Sequence, residues 1–162
     1  MSILQAIILA FMHGRTDVTG YDISVAFDGL WSHQQVYREL GKLKVANLVR
    51  EKVIPQDGKP DRRACTPNAG AKTTLVNFLM SEQRRISVDL ATKDRIIVVA
   101  DLMHKQGIID KQEFIEFLDA YAEHYARVVD RTKDCVNMHG YRTHKIALAE
   151  FNLATEYSQN LV

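Results

Sequence analysis

Two adjacent glutamines, Gln34 and Gln35, follow closely on Ser32, and Arg38 and Lys42 share their side of the chain at helical spacing. A long amide side chain offers a donor and an acceptor together, the pattern that reads the edge of a base pair. From Ser32 to Thr66 there are eight Lys/Arg against four Asp/Glu, +4 in 35 residues, on a chain of net charge +1. Such a local excess suits a small module that grips a polyanion. It suits a solvated charged face equally well. Cys135, His139 and His144, with Asp134 beside them, have separations seen in zinc sites. No CxxC accompanies them, and His139-Gly140 reads as an interhelical turn, so they are taken as loop residues and no metal or other cofactor is expected. Cys65, between Ala64 and Thr66, reads as a buried thiol. There is no Walker loop, dinucleotide fingerprint or nucleophile elbow, and no enzyme is expected.

The elements that must position these residues can be read from periodicity. The chain has 162 residues, 46% apolar and 25% charged, with a mean hydropathy of −0.19, the balance of a soluble globular protein. Two cysteines are too few for a disulfide scaffold and point to a reducing compartment. The apolar run Met1–Met12 has no Lys or Arg before Arg15 and is too short to span a bilayer. Ile3, Leu4, Ile7, Ile8 and Phe11 instead mark one face of a buried helix, and a cytoplasmic protein with no membrane partner is expected.

A second helix is expected over 21–30, with Ile23, Phe27 and Leu30 inward. A third runs from Ser32 as N-cap to about Ala46, with Val36, Leu40 and Leu43 inward. Val49–Val53 alternates as a strand, Gln56–Asp61 is turn chemistry and Arg62–Thr66 is the returning strand. Thr66-Pro67 reads as the start of a fourth helix, packed through Ala71, Leu75, Phe78 and Leu79. Three helices, a hairpin and a helix make a winged helix-turn-helix. The second half is helical, over about 87–104, 110–133 and 141–161. The first of these has Leu90, Ile97, Val98 and Leu102 inward; the last has Ile146, Leu153, Tyr157 and Leu161 roughly on one side. Phe114, Leu118, Tyr121, Tyr125 and Val128 are spaced 4, 3, 4, 3, an a/d seam that fits an intramolecular core or a dimer interface. The fold class expected is mostly α with a small β-hairpin wing. Residues 1–82 would be the winged helix-turn-helix and 83–162 a helical, antiparallel coiled-coil-like dimerisation domain. Charge divides along similar lines, +3 over 1–80 and −2 over 81–162.

Three stretches carry a resemblance: Thr19–Ile23, then Trp31 with Ser32-His33-Gln34-Gln35-Val36-Tyr37-Arg38-Glu39-Leu40, then Pro55-Gln56-Asp57-Gly58-Lys59-Pro60-Asp61-Arg62-Arg63. In this order they resemble the PadR family of bacterial transcriptional regulators, and within it the AphA-type virulence gene activators. The resemblance covers roughly residues 3–80. It implies a homodimer on promoter DNA, with Ser32–Lys42 as recognition helix and Gln56–Arg63 as wing. On that reading Gln34 and Gln35, next to His33, meet base edges, while Ser32, Tyr37, Arg38 and Lys42 meet phosphates. Lys59, Arg62 and Arg63 reach the minor groove or backbone. Leu153 and Tyr157 join the seam residues at the dimer interface. Trp31, beside the recognition helix, is expected to pack as a core or staple residue.

The sequence departs from the family in the few residues between Phe27 and the Ser-His-Gln-Gln motif and in a shorter C-terminal domain. That leaves a second function open: an interaction module that has lost DNA binding and pairs with a related transcription factor to sequester it. A weaker third is a ligand sensor with its effector in the dimer interface.

Overall fold

The structure, a computed structural model, describes residues 1–58, 60–83, 90–134 and 138–161. It divides into two compact units, Met1–Phe78 and Leu79–Val162. The division falls inside a helix, a few residues before the expected boundary at 82.

The first unit is built around α1, Ile3–Met12. Leu4 and Ala6 to Met12 are all buried, so this helix is enclosed on every side rather than amphipathic. Its start is set by Ser2, whose hydroxyl accepts from Gln5 N while the Gln5 side chain accepts from Ser2 N. The two-residue strand β1, Val18–Thr19, leads directly into α2, Gly20–Ala26. Thr19 and Asp22 form a second capping box there.

Helix α2 is shorter than periodicity suggested. It ends at Ala26, with Phe27 as C-cap, and Leu30 is exposed rather than inward. Gly29, at φ 80°, turns the chain in a left-handed conformation that a glycine adopts without strain. The Phe27 ring meets Phe11 and Trp31 edge-on, at centroid distances of 5.3 and 6.1 Å, which staples this turn to α1. Helix α3, His33–Val45, then follows, with Ser32 as N-cap and Val36, Leu40 and Leu43 buried, as the spacing indicates. Asn47, at φ 55°, closes it: Leu48 N donates to Leu43 O and Asn47 N to Lys44 O, the paired bonds of a Schellman ending.

Strands β2, Val49–Ile54, and β3, Arg62–Pro67, form the hairpin. The sheet order is β1-β3-β2, all antiparallel, with Val18 opposite Cys65 and Glu51 opposite Cys65 on its other side. The β1 strand is too short for its alternation to be visible in sequence. Thr66 and Pro67 do not start a helix; they end β3 opposite Arg50 and Val49. At Pro67 the strand has run past β1 and one edge is open, where a missing N–H is tolerated. The helix α4 begins later, Gly70–Gln83, with Ala71, Leu75, Phe78 and Leu79 buried.

The second unit contains α5 (Leu90–Lys105), α6 (Lys111–Thr132) and α7 (Met138–Leu161). Gly107, at φ 65°, ends α5 with the same paired bonds as Asn47. Asp110 caps α6 with Glu113 as its partner. Among the described side chains of α5, Ile96, Ile97, Val99, Ala100 and Met103 are buried; of the expected inward residues Ile97 is buried, Leu102 half-buried and Val98 exposed, and the Leu90 side chain lies outside the described residues. Helices α6 and α7 run antiparallel: Asp119, Tyr121 and Thr132 bond Ser158, Glu150 and His144 in descending order. His139 and Gly140 lie within α7 and are not a turn.

Phe114, Leu118, Tyr121, Tyr125 and Val128 are buried within the single chain. Within the single chain the seam forms the unit's own core, packed against α7. Leu153 and Tyr157 are half-buried and line a cleft of about 380 Å³ with Asp101, Phe114, Glu156 and Asn160. Among the described residues no helix is long and apolar enough to cross a membrane.

Candidate nucleic-acid interface

The side chains expected to touch DNA sit on the outer face of α3 and on the hairpin beside it. Val36, Leu40 and Leu43 turn one stripe of α3 inward, so Gln34, Tyr37 and Arg38 face out. Gln34 lies on the first turn, exposed, and its amide has no hydrogen bond among the described residues. His33 is also exposed, its ring 6.4 Å from that of Tyr21. Tyr37 is 51% exposed, and its ring rests on buried Gly20. A Cβ added at Gly20 would lie 2.6 Å from that ring, so the glycine gives Tyr37 its seat.

The other predicted residues are already engaged within the chain. Gln35 closes the cap of α3: its Oε1 accepts from Ser32 N at 2.9 Å and from Ser32 Oγ at 3.1 Å. The Ser32 hydroxyl in turn accepts from Gln35 N. Ser32 and Gln35 thus form a Ser-x-x-Gln capping box, a signal the sequence carries in the same residues that suggest base reading. Arg38 and Lys42 both donate to Glu39, at 3.1 and 2.8 Å. Glu39 lies on the inner side of α3, 5% exposed, and also accepts from Gln5 of α1. Its position three after Val36 and four before Leu43 could have revealed a buried carboxylate. The hydrogen bond from Lys42, against a burial penalty, holds its carboxyl below the ordinary value.

The hairpin follows the same pattern. Arg62 donates to the Asp17 carbonyl at 3.0 Å and lies 3.4 Å from the Asp22 carboxylate. Arg63 lies 3.3 Å from Glu51, and Lys44 of α3 pairs with the other oxygen of Glu51. The bonds from Thr19 hold Asp22 below its ordinary pKa, and that from Lys44 does the same for Glu51. Lys44 and the three carboxylates were not anticipated as part of this surface. Lys59 lies outside the described residues.

Between α3 and the hairpin runs a cleft of about 560 Å³. Its lining includes Tyr37, Gly41 and Lys44 on one side and Gln56, Arg62 and Arg63 on the other. Cys65 lies at its floor, buried, and burial pushes the thiol pKa up, away from reactivity. Of the residues with zinc-site separations, Cys135 and the His139 side chain lie outside the described residues. His144 meets the Thr132 hydroxyl at 3.2 Å. Among the described residues no cluster could hold a metal ion.

No protein-family model matches the sequence, and no curated protein matches it. Among solved structures the chain is similar to Bacillus subtilis PadR in complex with operator DNA, at 18% identity and a TM-score of 0.46, covering 98% of this chain and 95% of that one. It is similar to a PadR-like transcriptional regulator from Bacillus cereus at 11% identity and a TM-score of 0.41, covering 98% and 97%. A protein of Streptococcus mutans UA159 is similar at 19% identity and a TM-score of 0.41, covering 97% and 95%.

Proposed function

We propose that the chain is a sequence-specific DNA-binding transcriptional regulator. The observation that carries this is the outer face of α3: an exposed, unengaged Gln34 on its first turn, beside a cleft toward the hairpin that is lined by Lys44, Arg62 and Arg63 and by their partner carboxylates Glu51 and Asp22. The first turn of such a helix meets base edges in the major groove. The cleft would take the sugar–phosphate strand, with Tyr37, Lys44, Arg62 and Arg63 along it. Arg38 and Lys42 would contact phosphates flanking the helix once they leave Glu39. The sequence motifs favour a PadR-like regulator, and its AphA-type character rests on those motifs alone.

In this reading the protein acts in the cytoplasm as a homodimer through residues 79–162. Because the α6 seam is filled internally, the second copy would meet other faces of the helices, with Leu153 and Tyr157 the half-exposed candidates. The test is selection from random double-stranded DNA with the purified protein. An enriched motif with two half-sites about one helical turn apart, or a multiple of it, is expected. If no motif is enriched and the salt dependence is the same on every sequence, the reading is wrong. The chain should then be assayed for pairing with a related regulator, which its internally neutralised cations would suit.

A further inference from the structure

We infer that Gln35 reads its base through the NH2 group alone, as a donor-only contact to guanine, and that the donor-plus-acceptor pairing of adenine falls to Gln34. This rests on the DNA-reading proposal above and assigns different chemistry to two identical side chains.

The division follows from the cap. Gln35 Oε1 lies 2.9 Å from Ser32 N and 3.1 Å from Ser32 Oγ. A backbone N–H can only donate, so the atom facing it must be the carbonyl oxygen and never the amide nitrogen. Both lone pairs of that oxygen are then occupied. What Gln35 has left for a ligand is Nε2, with two hydrogens and no acceptor.

Adenine presents N7 as acceptor and N6 as donor in the major groove, and a glutamine pairs with both only if its oxygen is free. Gln35 could do so only by giving up one of its two bonds from Ser32, the N–H at the tip of the helix or the hydroxyl. Guanine presents N7 and O6, two adjacent acceptors, and matches an amide that can only donate. Gln34 is one residue earlier, exposed, and its amide has no hydrogen bond among the described residues, so both of its ends are available.

Gln35→Glu separates the cap from the contact. A carboxylate three residues after the Ser N-cap accepts from the Ser N–H as well as the amide does, but it has no donor. On the DNA site selected by the parent, Gln35→Glu should lose preference at one position, by roughly 5- to 150-fold. That position should be guanine in the parent motif. The melting temperature should be unchanged or higher. Placing 7-deazaguanine there should weaken the parent complex alone, a check that needs no folded variant. If Gln35→Glu keeps the parent's preferences, if the affected base is adenine, or if 7-deazaguanine is tolerated, the assignment falls while the regulator reading stands. If the parent selects no site, both fall.

Discussion

The carboxylates of the candidate interface and the buried carboxylate of the second unit serve opposite purposes. In residues 1–78 they lie beside surface cations: Glu39 with Arg38 and Lys42, Glu51 with Lys44 and Arg63, Asp22 with Arg62. The cations remain substantially in water; Arg38, Lys42 and Arg63 expose 64%, 57% and 71% of their side chains. In residues 79–162, Glu150 is fully buried and accepts from the Tyr121 hydroxyl at 2.7 Å. Burial, reinforced by that bond, raises the Tyr121 phenol far above its ordinary pKa and keeps it a proton donor to Glu150. Exposed ion pairs contribute little and exchange partners at small cost. Buried polar groups lose far more when a partner is removed. On the proposed function, phosphates would replace these carboxylates as partners of the first surface's cations. The second interior is built to hold one arrangement.

The largest effect should come from breaking the sealed side. Leu118 is wholly buried in the α6 seam. Leu118→Ala should cost about 2–5 kcal/mol, as core truncations do. A urea titration followed by circular dichroism should show the loss. Because the seam is filled by the same chain, the loss should not depend on protein concentration. A concentration-dependent loss would return Leu118 to a dimer interface.

An equally close contact on the open side should respond differently. Gly20→Ala puts a methyl group 2.6 Å from the Tyr37 ring. That ring is half in solvent and can swing away, so the cost should be about 1 kcal/mol or less, at the bottom of the range for overpacking. The displaced Tyr37 would sit differently in the α3–hairpin cleft, and DNA affinity should fall more than stability does. Equal losses in both measurements would make Tyr37 a structural residue only.

The same contrast decides what was legible in the sequence. Helices α3 and α6 could be read because their apolar residues are strictly periodic and their caps, Ser32 and Asp110, are side chains that announce themselves. The seam's spacing was clear, but spacing does not say which element fills it; the structure packs α7 there. The two residues of β1 have no pattern, and Pro67 fits a helix start and a strand end equally well until its partner Val49 is known. In the candidate interface, residue types and positions were readable and their engagements were not. Arg62 reaches Asp17 and Asp22 across 45 and 40 residues of chain, contacts that only the fold creates.

The smallest change in stability should accompany Glu39→Gln, and it tests the trade most directly. The Glu39 carboxyl titrates below its ordinary value of 4.5 in the folded protein, chiefly through Lys42. A depressed pKa means that the charged form adds stability above the unfolded value, and that this is lost as pH falls through the folded one. Parent and variant should therefore differ slightly in urea midpoint at pH 7, by about 1 kcal/mol or less because both cation partners stand largely in water, and converge in acid below pH 4.5. Gln5 can still donate to the new side-chain oxygen, so the α1–α3 contact should hold. Binding should move the other way. With the carboxylate gone, Arg38 and Lys42 no longer have to leave it to reach phosphates, and affinity should rise at low salt. Each further phosphate that these cations neutralise should steepen the log–log salt dependence by about 0.9. If stability converges in acid but the salt slope is unchanged, these two cations never exchange onto DNA, and the hairpin alone supplies the electrostatic grip.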